Sequence, residues 1–224
     1  KIIGSATSVL RTPDQTEIAF FWKAGENSYT PPGQWNQIAQ TIGQNRGNTL
    51  ADNVRMFGAL NTSLADAGIA AWEVKYTDEM WRPETAIRLA DQDGNDETAP
   101  DLTWNPLLPT PNHPSCVSGH STFSGAAAAS LAALYGDQQS FSFTDDTYGI
   151  TRHFNSFSQA MDEAGMSRIY GGIHYSFDNE IGKSLGWQIG KHVVATTFQA
   201  VPEPITLLSL GLASAALVRR RRKR

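Results

Sequence analysis

Ser118-Gly119-His120-Ser121-Thr122-Phe123-Ser124-Gly125-Ala126-Ala127-Ala128-Ala129-Ser130-Leu131-Ala132-Ala133-Leu134-Tyr135-Gly136 reads as one helix. Ser118 sits where a side-chain oxygen caps the first free N–H groups, and Gly136 stands just past the last turn. Outward from this run the chain reads as more helices joined by loops. Thr12-Pro13-Asp14 starts one, with Ile18, Ala19 and Phe20-Phe21-Trp22 as its apolar side, and Thr30-Pro31-Pro32 starts a second through Trp35, Ile38 and Ile42. Thr49-Leu50-Ala51-Asp52 resembles a capping box. It opens a long apolar periodicity (Val54, Phe57, Leu60, Leu64, Ile69, Trp72) that reaches Lys75. A short helix follows from Pro83 to Ala90, and Asp91 to Val117, rich in Pro, Asn and Asp, reads as a long loop of the kind that often carries function. A stretch near Phe141–Phe143 reads as extended, Ser156–Arg168 as a helix, and His174 to about Thr197 as the last one. Gly182, Gly186 and Gly190 recur every four residues there, giving a flat face for close helix contact. Strand alternation of useful length and internal repeats are absent from this pattern, so the fold class is all-α: a helical bundle with its site in the core, where facing helices supply ligands.

Three short clusters carry the chemistry. Lys75 and Arg82-Pro83 straddle a helix–helix junction and can converge on one point; Pro83 suits a first helical turn, where a missing N–H costs little. Arginine offers a planar fork with two parallel donors and lysine a mobile point charge. Ser118-Gly119-His120 opens the central helix, whose free N–H groups and dipole favour an anion. His120 would lie beside that anion and titrates in a range suited to proton transfer. In the third cluster Arg168 is followed by Gly171-Gly172, a break between helices, and then by His174 at the next helix start. Asp178, four residues on, can accept the Nδ1 hydrogen of His174 and leave Nε2 free as a nucleophile or metal ligand. Taken singly, each cluster also reads as a solvated charge pair, a capped helix start or a helix-start histidine with a nearby acid. Together they supply three cations, a hydroxyl, a glycine amide and two imidazoles. A buried dianion or trianion needs about that much compensation.

The order and spacing of these clusters resemble the superfamily of vanadium-dependent haloperoxidases and type 2 phosphatidic acid phosphatases. Its signature is K-x-x-x-x-x-x-R-P, then P-S-G-H, then S-R-x-x-x-x-x-H. The first and third elements match; in the second, Val117 stands where the family commonly has proline before Ser118-Gly119-His120. Ala70-Ala71-Trp72-Glu73-Val74-Lys75 and Ser121-Thr122-Phe123-Ser124-Gly125-Ala126 look like the bacterial haloperoxidase-like branch, and the resemblance runs from roughly residue 10 to residue 197. It implies that Lys75, Arg82 and Arg168 bind the equatorial oxygens of vanadate or phosphate, with Ser118 and Gly119 completing that shell. His174 would bond the central atom apically, as the ligand of vanadium, and His120 would be the acid–base group. The partners implied are hydrogen peroxide and halide. In the phosphatase alternative a phosphoester is cleaved through a phosphohistidine at His174 and no cofactor is needed. A third reading, from another class, is a non-catalytic surface protein that sequesters an oxyanion. His113 stands seven residues before His120, where bromide-oxidising algal enzymes carry histidine and the fungal chloride-oxidising type phenylalanine. The resemblance thus points to halide tuning there, against a plain loop histidine.

Composition bounds the rest. A chain of 224 residues with 40% hydrophobic composition can bury a single-domain core. Residues 219–224 are all basic; without them 12 basic side chains face 22 acidic ones, a net charge of about −10. So acidic a body argues against a nucleic-acid partner. Val201-Pro202-Glu203-Pro204 precedes an apolar run from Ile205 to Val218 and the basic stop, a pattern that looks like a PEP-CTERM sorting signal. That resemblance implies export in a Gram-negative bacterium to the periplasm, outer surface or extracellular matrix. The tail would be processed by an exosortase, with the membrane touched only through it. The domain reading is therefore residues 1–200 for the helical domain and 201–224 for the tail. Residue 1 is lysine and export calls for a signal that the sequence does not show, so the domain reads as N-terminally incomplete. Cys116 is the single cysteine, which excludes an internal disulfide and leaves it a spacer role.

Overall fold

The computed structural model describes residues 1–25 and 28–199, and the tail reading falls outside them. Thr12, expected only as a helix start, caps α1 (Pro13–Phe21) with a reciprocal box, and Thr49 caps α3 (Leu50–Asp78) with the expected one. Between them α2 (Thr30–Arg46) begins on Pro31-Pro32 and ends at Gly47, whose φ of 66° is the left-handed stop that glycine adopts freely. A short α4 (Pro83–Arg88) runs into a 3-10 turn at Ala90–Gln92, and the chain is then irregular until Ser118 caps α5 (Gly119–Tyr135). A hairpin of β1 (Phe141–Thr144) and β2 (Thr151–Phe154) precedes α6 (Phe157–Tyr170) and α7 (Ser176–Thr197).

The expected all-α bundle is observed, with α5 at its centre against α2, α3, α6 and α7. The alanine-rich helix is buried over most of its length because small side chains let neighbouring helices approach its backbone. The glycine row of α7 does the same from the other side. A Cβ on Gly186 would stand 2.0 Å from Thr122 O, and one on Gly190 2.3 Å from Ala126 O. One side of α5 closes on an aromatic core of Phe21, Trp22, Trp35, Phe141, Phe143, Phe154 and Phe157.

Three expectations change in detail. The buried stripe of α3 is Met56, Ala59, Leu60, Ser63, Leu64, Ala67, Ala71 and Lys75, whereas Val54 and Ile69 are 66% and 71% exposed. Helix contact at that face selects small residues, which an apolar count passes over. The extended stretch at 141–143 has a partner, β2, in antiparallel register from Phe141↔Phe154 to Thr144↔Thr151. Its four-residue strands are too short to show a period. Finally α7 starts at Ser176, so His174 lies in the tight connection after α6; Gly172 takes a φ of 75° there and Ile173 N donates to Arg168 O.

This topology brings the C-terminal ends of α1, α3 and α6 together with the N-terminal ends of α5 and α7. Lys75, Arg82, His113, His120, Arg168, His174 and Asp178 all sit at that end of the bundle.

Candidate active site

His174 and Asp178 form the site's fixed pair. His174 Nδ1 is 2.8 Å from Asp178 Oδ2, and both side chains are buried. The same carboxylate oxygen accepts from Ser115 Oγ at 2.5 Å and from Tyr175 N at 3.3 Å. It therefore caps α7 while it orients the ring. An acceptor on Nδ1 places the hydrogen there and leaves Nε2 as the acceptor. Arg82 Nη1 donates to that Nε2 at 2.9 Å.

Three cations surround the imidazole. Arg82, the N-cap of α4, also donates through Nη1 to Ile173 O at 2.8 Å and through Nε to His113 O at 2.9 Å. Lys75, in the last turn of α3, donates to Pro114 O and Ser115 O, both at 2.8 Å. Arg168, in the last turn of α6, donates through Nη2 to Trp22 O at 2.9 Å and Ala19 O at 3.3 Å. Among the described residues none of the three has a carboxylate within salt-bridge distance, and all are buried. Loss of water, then like charge nearby, pulls the Lys75 ammonium down to about 7. Desolvation lowers Arg168 to about 9, helped by Arg82, and Arg82 to about 10. Burial, then Arg82, Lys75 and Arg168, holds His174 well below the usual imidazole range. The cluster is thus short of negative charge. An oxyanion would supply what it lacks.

Ser118 and His120 add a hydroxyl and a second imidazole at the start of α5. Ser118 Oγ accepts from Ser121 N at 3.3 Å, and Ser121 Oγ lies 2.8 Å from it and 2.9 Å from Asn179 Oδ1. At Gly119 a Cβ would meet the Trp72 ring at 3.3 Å, so glycine lets that indole lie over the helix start. His120 Nε2 is 3.3 Å from Lys23 O, which can only accept, so the hydrogen is on Nε2 and Nδ1 is the basic atom. Burial first, then Arg168 and His174, keeps its pKa well below the ordinary value. A bound anion would offset those cations and raise it again.

The structure brings all nine sequence candidates to this end of the bundle. His113, which could have been a plain loop histidine, is half-buried and stands with Nδ1 3.0 Å from Arg82 Nη2 and its ring 5.2 Å from that of Trp72. Burial, Lys75 and Arg82 lower it to about 4. Sequence reasoning passed over Ser115, whose hydroxyl holds Asp178 and whose carbonyl holds Lys75, and the carbonyls of Ala19, Trp22 and Lys23. A serine in a loop carries no signal, and every residue has a carbonyl. Cys116 and Val117 pack in a small apolar cluster with Ala71; burial raises the Cys116 thiol pKa, which suits a spacer rather than a nucleophile.

The donor set fits a tetrahedral or bipyramidal oxyanion: three cations without acids, a hydroxyl, the amide end of α5 and an imidazole lone pair facing them. Among the described residues no cluster of His, Cys, Asp and Glu suits a bare cation, and no helix is long and apolar enough to cross a membrane.

Comparison with known proteins agrees with this geometry. The chain is 28% identical over 229 residues to the vanadium chloroperoxidase of Curvularia inaequalis, covering 76% of this chain and 37% of that protein. A solved bacterial vanadium-dependent iodoperoxidase superposes with a TM-score of 0.72 at 37% identity, over 81% of this chain and 43% of the other. A holo-type bacterial vanadium-dependent chloroperoxidase shares the fold, with a TM-score of 0.66 at 20% identity over 87% of this chain and 46% of the other. The chain thus spans less than half the length of these relatives. Residues 200–223 match the PEP-CTERM protein-sorting motif. Residues 55–202, about two thirds of the chain, match the VCPO second helical-bundle domain, and the chain belongs to that family of vanadium haloperoxidases.

Proposed function

We propose that this chain carries the active site of a vanadate-dependent haloperoxidase that oxidises halide with hydrogen peroxide. One observation carries the reading. His174 Nε2, with its tautomer set by Asp178, accepts from Arg82 and feels the charge of Lys75 and Arg168, three buried cations that have no carboxylate partner among the described residues.

In this reading Lys75, Arg82 and Arg168 would hold the oxygens of vanadate, with Ser118 Oγ and the Gly119 amide beside them. His174 Nε2 would be the ligand atom to the metal. When bound, vanadate supplies Lewis acidity that makes peroxide an electrophilic oxidant towards halide. His120 Nδ1 takes up and returns the proton of the incoming peroxide, its basicity restored once the anion balances Arg168. Asp178 keeps the hydrogen on His174 Nδ1 throughout. Trp72 over the helix start limits water on that side. The same residues could serve phosphoryl transfer, with His174 Nε2 as nucleophile and His120 protonating the leaving alcohol. The likeness to relatives named as peroxidases favours the first chemistry. The sorting motif supports an exported protein whose tail is processed by an exosortase. It would sit in the periplasm or on the surface of a Gram-negative cell, membrane-bound only through that tail.

The test assays full-length protein for bromination of a phenolic dye with peroxide, with and without added vanadate, and separately for phenyl phosphate hydrolysis. Vanadate-dependent bromination that His120→Ala abolishes, while vanadate still binds, is the expected result. Hydrolysis without halogenation would replace the peroxidase by the phosphatase. Oxyanion binding with neither activity would leave a sequestering protein.

A further inference from the structure

Trp22 is held at both ends by α6. Its indole Nε1 donates to Glu163 Oε1 at 3.1 Å, and its carbonyl accepts from Arg168 Nη2 at 2.9 Å. The next carbonyl, Lys23 O, receives His120 Nε2 at 3.3 Å. Two residues of the proposed site therefore hang on the backbone of two consecutive residues just past the end of α1. The chain leaves the helix there, and Ala24 adopts a φ of 38°. Side chains rather than a helical ladder must fix where those carbonyls point.

Glu163 is the anchor. Its carboxylate is 14% exposed and accepts from Arg152 in the bidentate manner, Nε to Oε1 at 3.1 Å and Nη2 to Oε2 at 2.7 Å. Such a pair fixes orientation as well as charge. Arg152 lies on β2 and also pairs with Asp14 and Glu17 of α1 at 2.6 and 3.2 Å. One guanidinium thus ties the hairpin, α1 and α6 together. Arg168 depends on this frame, since its Nη2 is spent on Trp22 O and Ala19 O and its Nε on Ser167 Oγ. A shift of the Trp22 carbonyl would turn the whole planar group.

We infer that Glu163, braced by Arg152, is a positioning residue of the oxyanion site. By holding the Trp22 indole it fixes the carbonyls of Trp22 and Lys23 that aim Arg168 and His120. The inference rests on reading that site as one for an oxyanion.

The test titrates inorganic phosphate calorimetrically into the full chain at one pH, with thermal unfolding to report the folded fraction. Glu163→Ala and Trp22→Phe should each weaken binding about tenfold, in the range found for residues that orient ligand groups. The double variant should bind no worse than the weaker single, because both act through one contact. Glu163→Gln, which keeps an acceptor for the indole, should restore most of the affinity. A residue that only stabilises the fold would lower the melting temperature and leave the phosphate Kd of the folded protein unchanged. A folded Glu163→Ala that binds like wild type, or losses that multiply in the double variant, overturns the inference. Should Glu163→Ala not fold, Trp22→Phe with wild-type affinity overturns it equally. A wild type that binds neither phosphate nor vanadate overturns the site reading itself, and this inference with it.

Discussion

Asp178 Oδ2 receives both His174 Nδ1, at 2.8 Å, and the Ser115 hydroxyl, at 2.5 Å, so one buried oxygen sets the imidazole tautomer and anchors the loop before α5. Desolvation raises the carboxyl pKa, while Ser115, Tyr175 N and the site cations lower it. Asp178→Asn keeps the size but presents an amide that can donate to Nδ1. The ring hydrogen then moves to Nε2 and removes the lone pair facing Arg82. Vanadate affinity should fall by about 10–100-fold, the usual cost of losing such an orienting partner. Equilibrium dialysis of vanadate measures it; an unchanged affinity would mean that His174 does not ligate vanadate.

Lys75 gives the site a pH signature. Its folded pKa is about 7, whereas an unfolded lysine titrates near 10.5. Between those values the unfolded chain binds more protons, so stability rises with pH there, and below about 7 the cost of the buried charge is present in full. Lys75→Met lacks this dependence. Wild type should therefore gain on the variant by several kcal/mol, on the order of 1.4 per pKa unit, as pH rises from about 7 to about 10. Urea unfolding of both proteins at pH 6.5 and 9.5 reads it. A gap that does not change with pH would show that Lys75 keeps its proton.

The site was legible because each of its members declares a chemistry. A charged or imidazole side chain at a helix end is visible in sequence, and Thr12, Thr49, Ser118 and Gly136 mark those ends correctly. The supports were not. Ser115 and the carbonyls of Ala19, Trp22 and Lys23 act through position alone, and position comes from tertiary packing. The stripe of α3 was misjudged at Val54 and Ile69 for a related reason: a face that meets α5 closely is built of Ala and Ser, and an apolar count prefers the outer branched residues.

His113 offers a separate check on halide use. Its ring is neutral above about pH 5, given a pKa near 4, and Nδ1 faces Arg82 Nη2, so the hydrogen is on Nε2. His113→Phe removes that N–H and leaves one Arg82 nitrogen without this acceptor. The ratio of bromide to chloride kcat/KM should change several-fold. Vanadate affinity should move by no more than about 0.6 kcal/mol, roughly threefold. Equal losses for both halides with weakened vanadate binding would mean that His113 acts only by holding Arg82.

Gly182 and Gly190 separate packing from function on one helix. A Cβ on Gly182 would stand 2.8 Å from Ser118 O, and one on Gly190 2.3 Å from Ala126 O; both neighbours are backbone and cannot step aside. Alanine at either position should cost about 1–3 kcal/mol as α7 is pushed off α5. At Gly182 the push falls between the turn that carries Ser118 and the one that carries Asp178, whose backbone carbonyl accepts from Ser118 N at 3.1 Å. At Gly190 it falls two turns further along. Gly182→Ala should therefore lower phosphate affinity in the folded protein severalfold, whereas Gly190→Ala should lose stability alone. Calorimetric titration beside thermal unfolding distinguishes them. Equal affinity losses would mean that the two helices move as one body and that the glycine row does not set the spacing of the site.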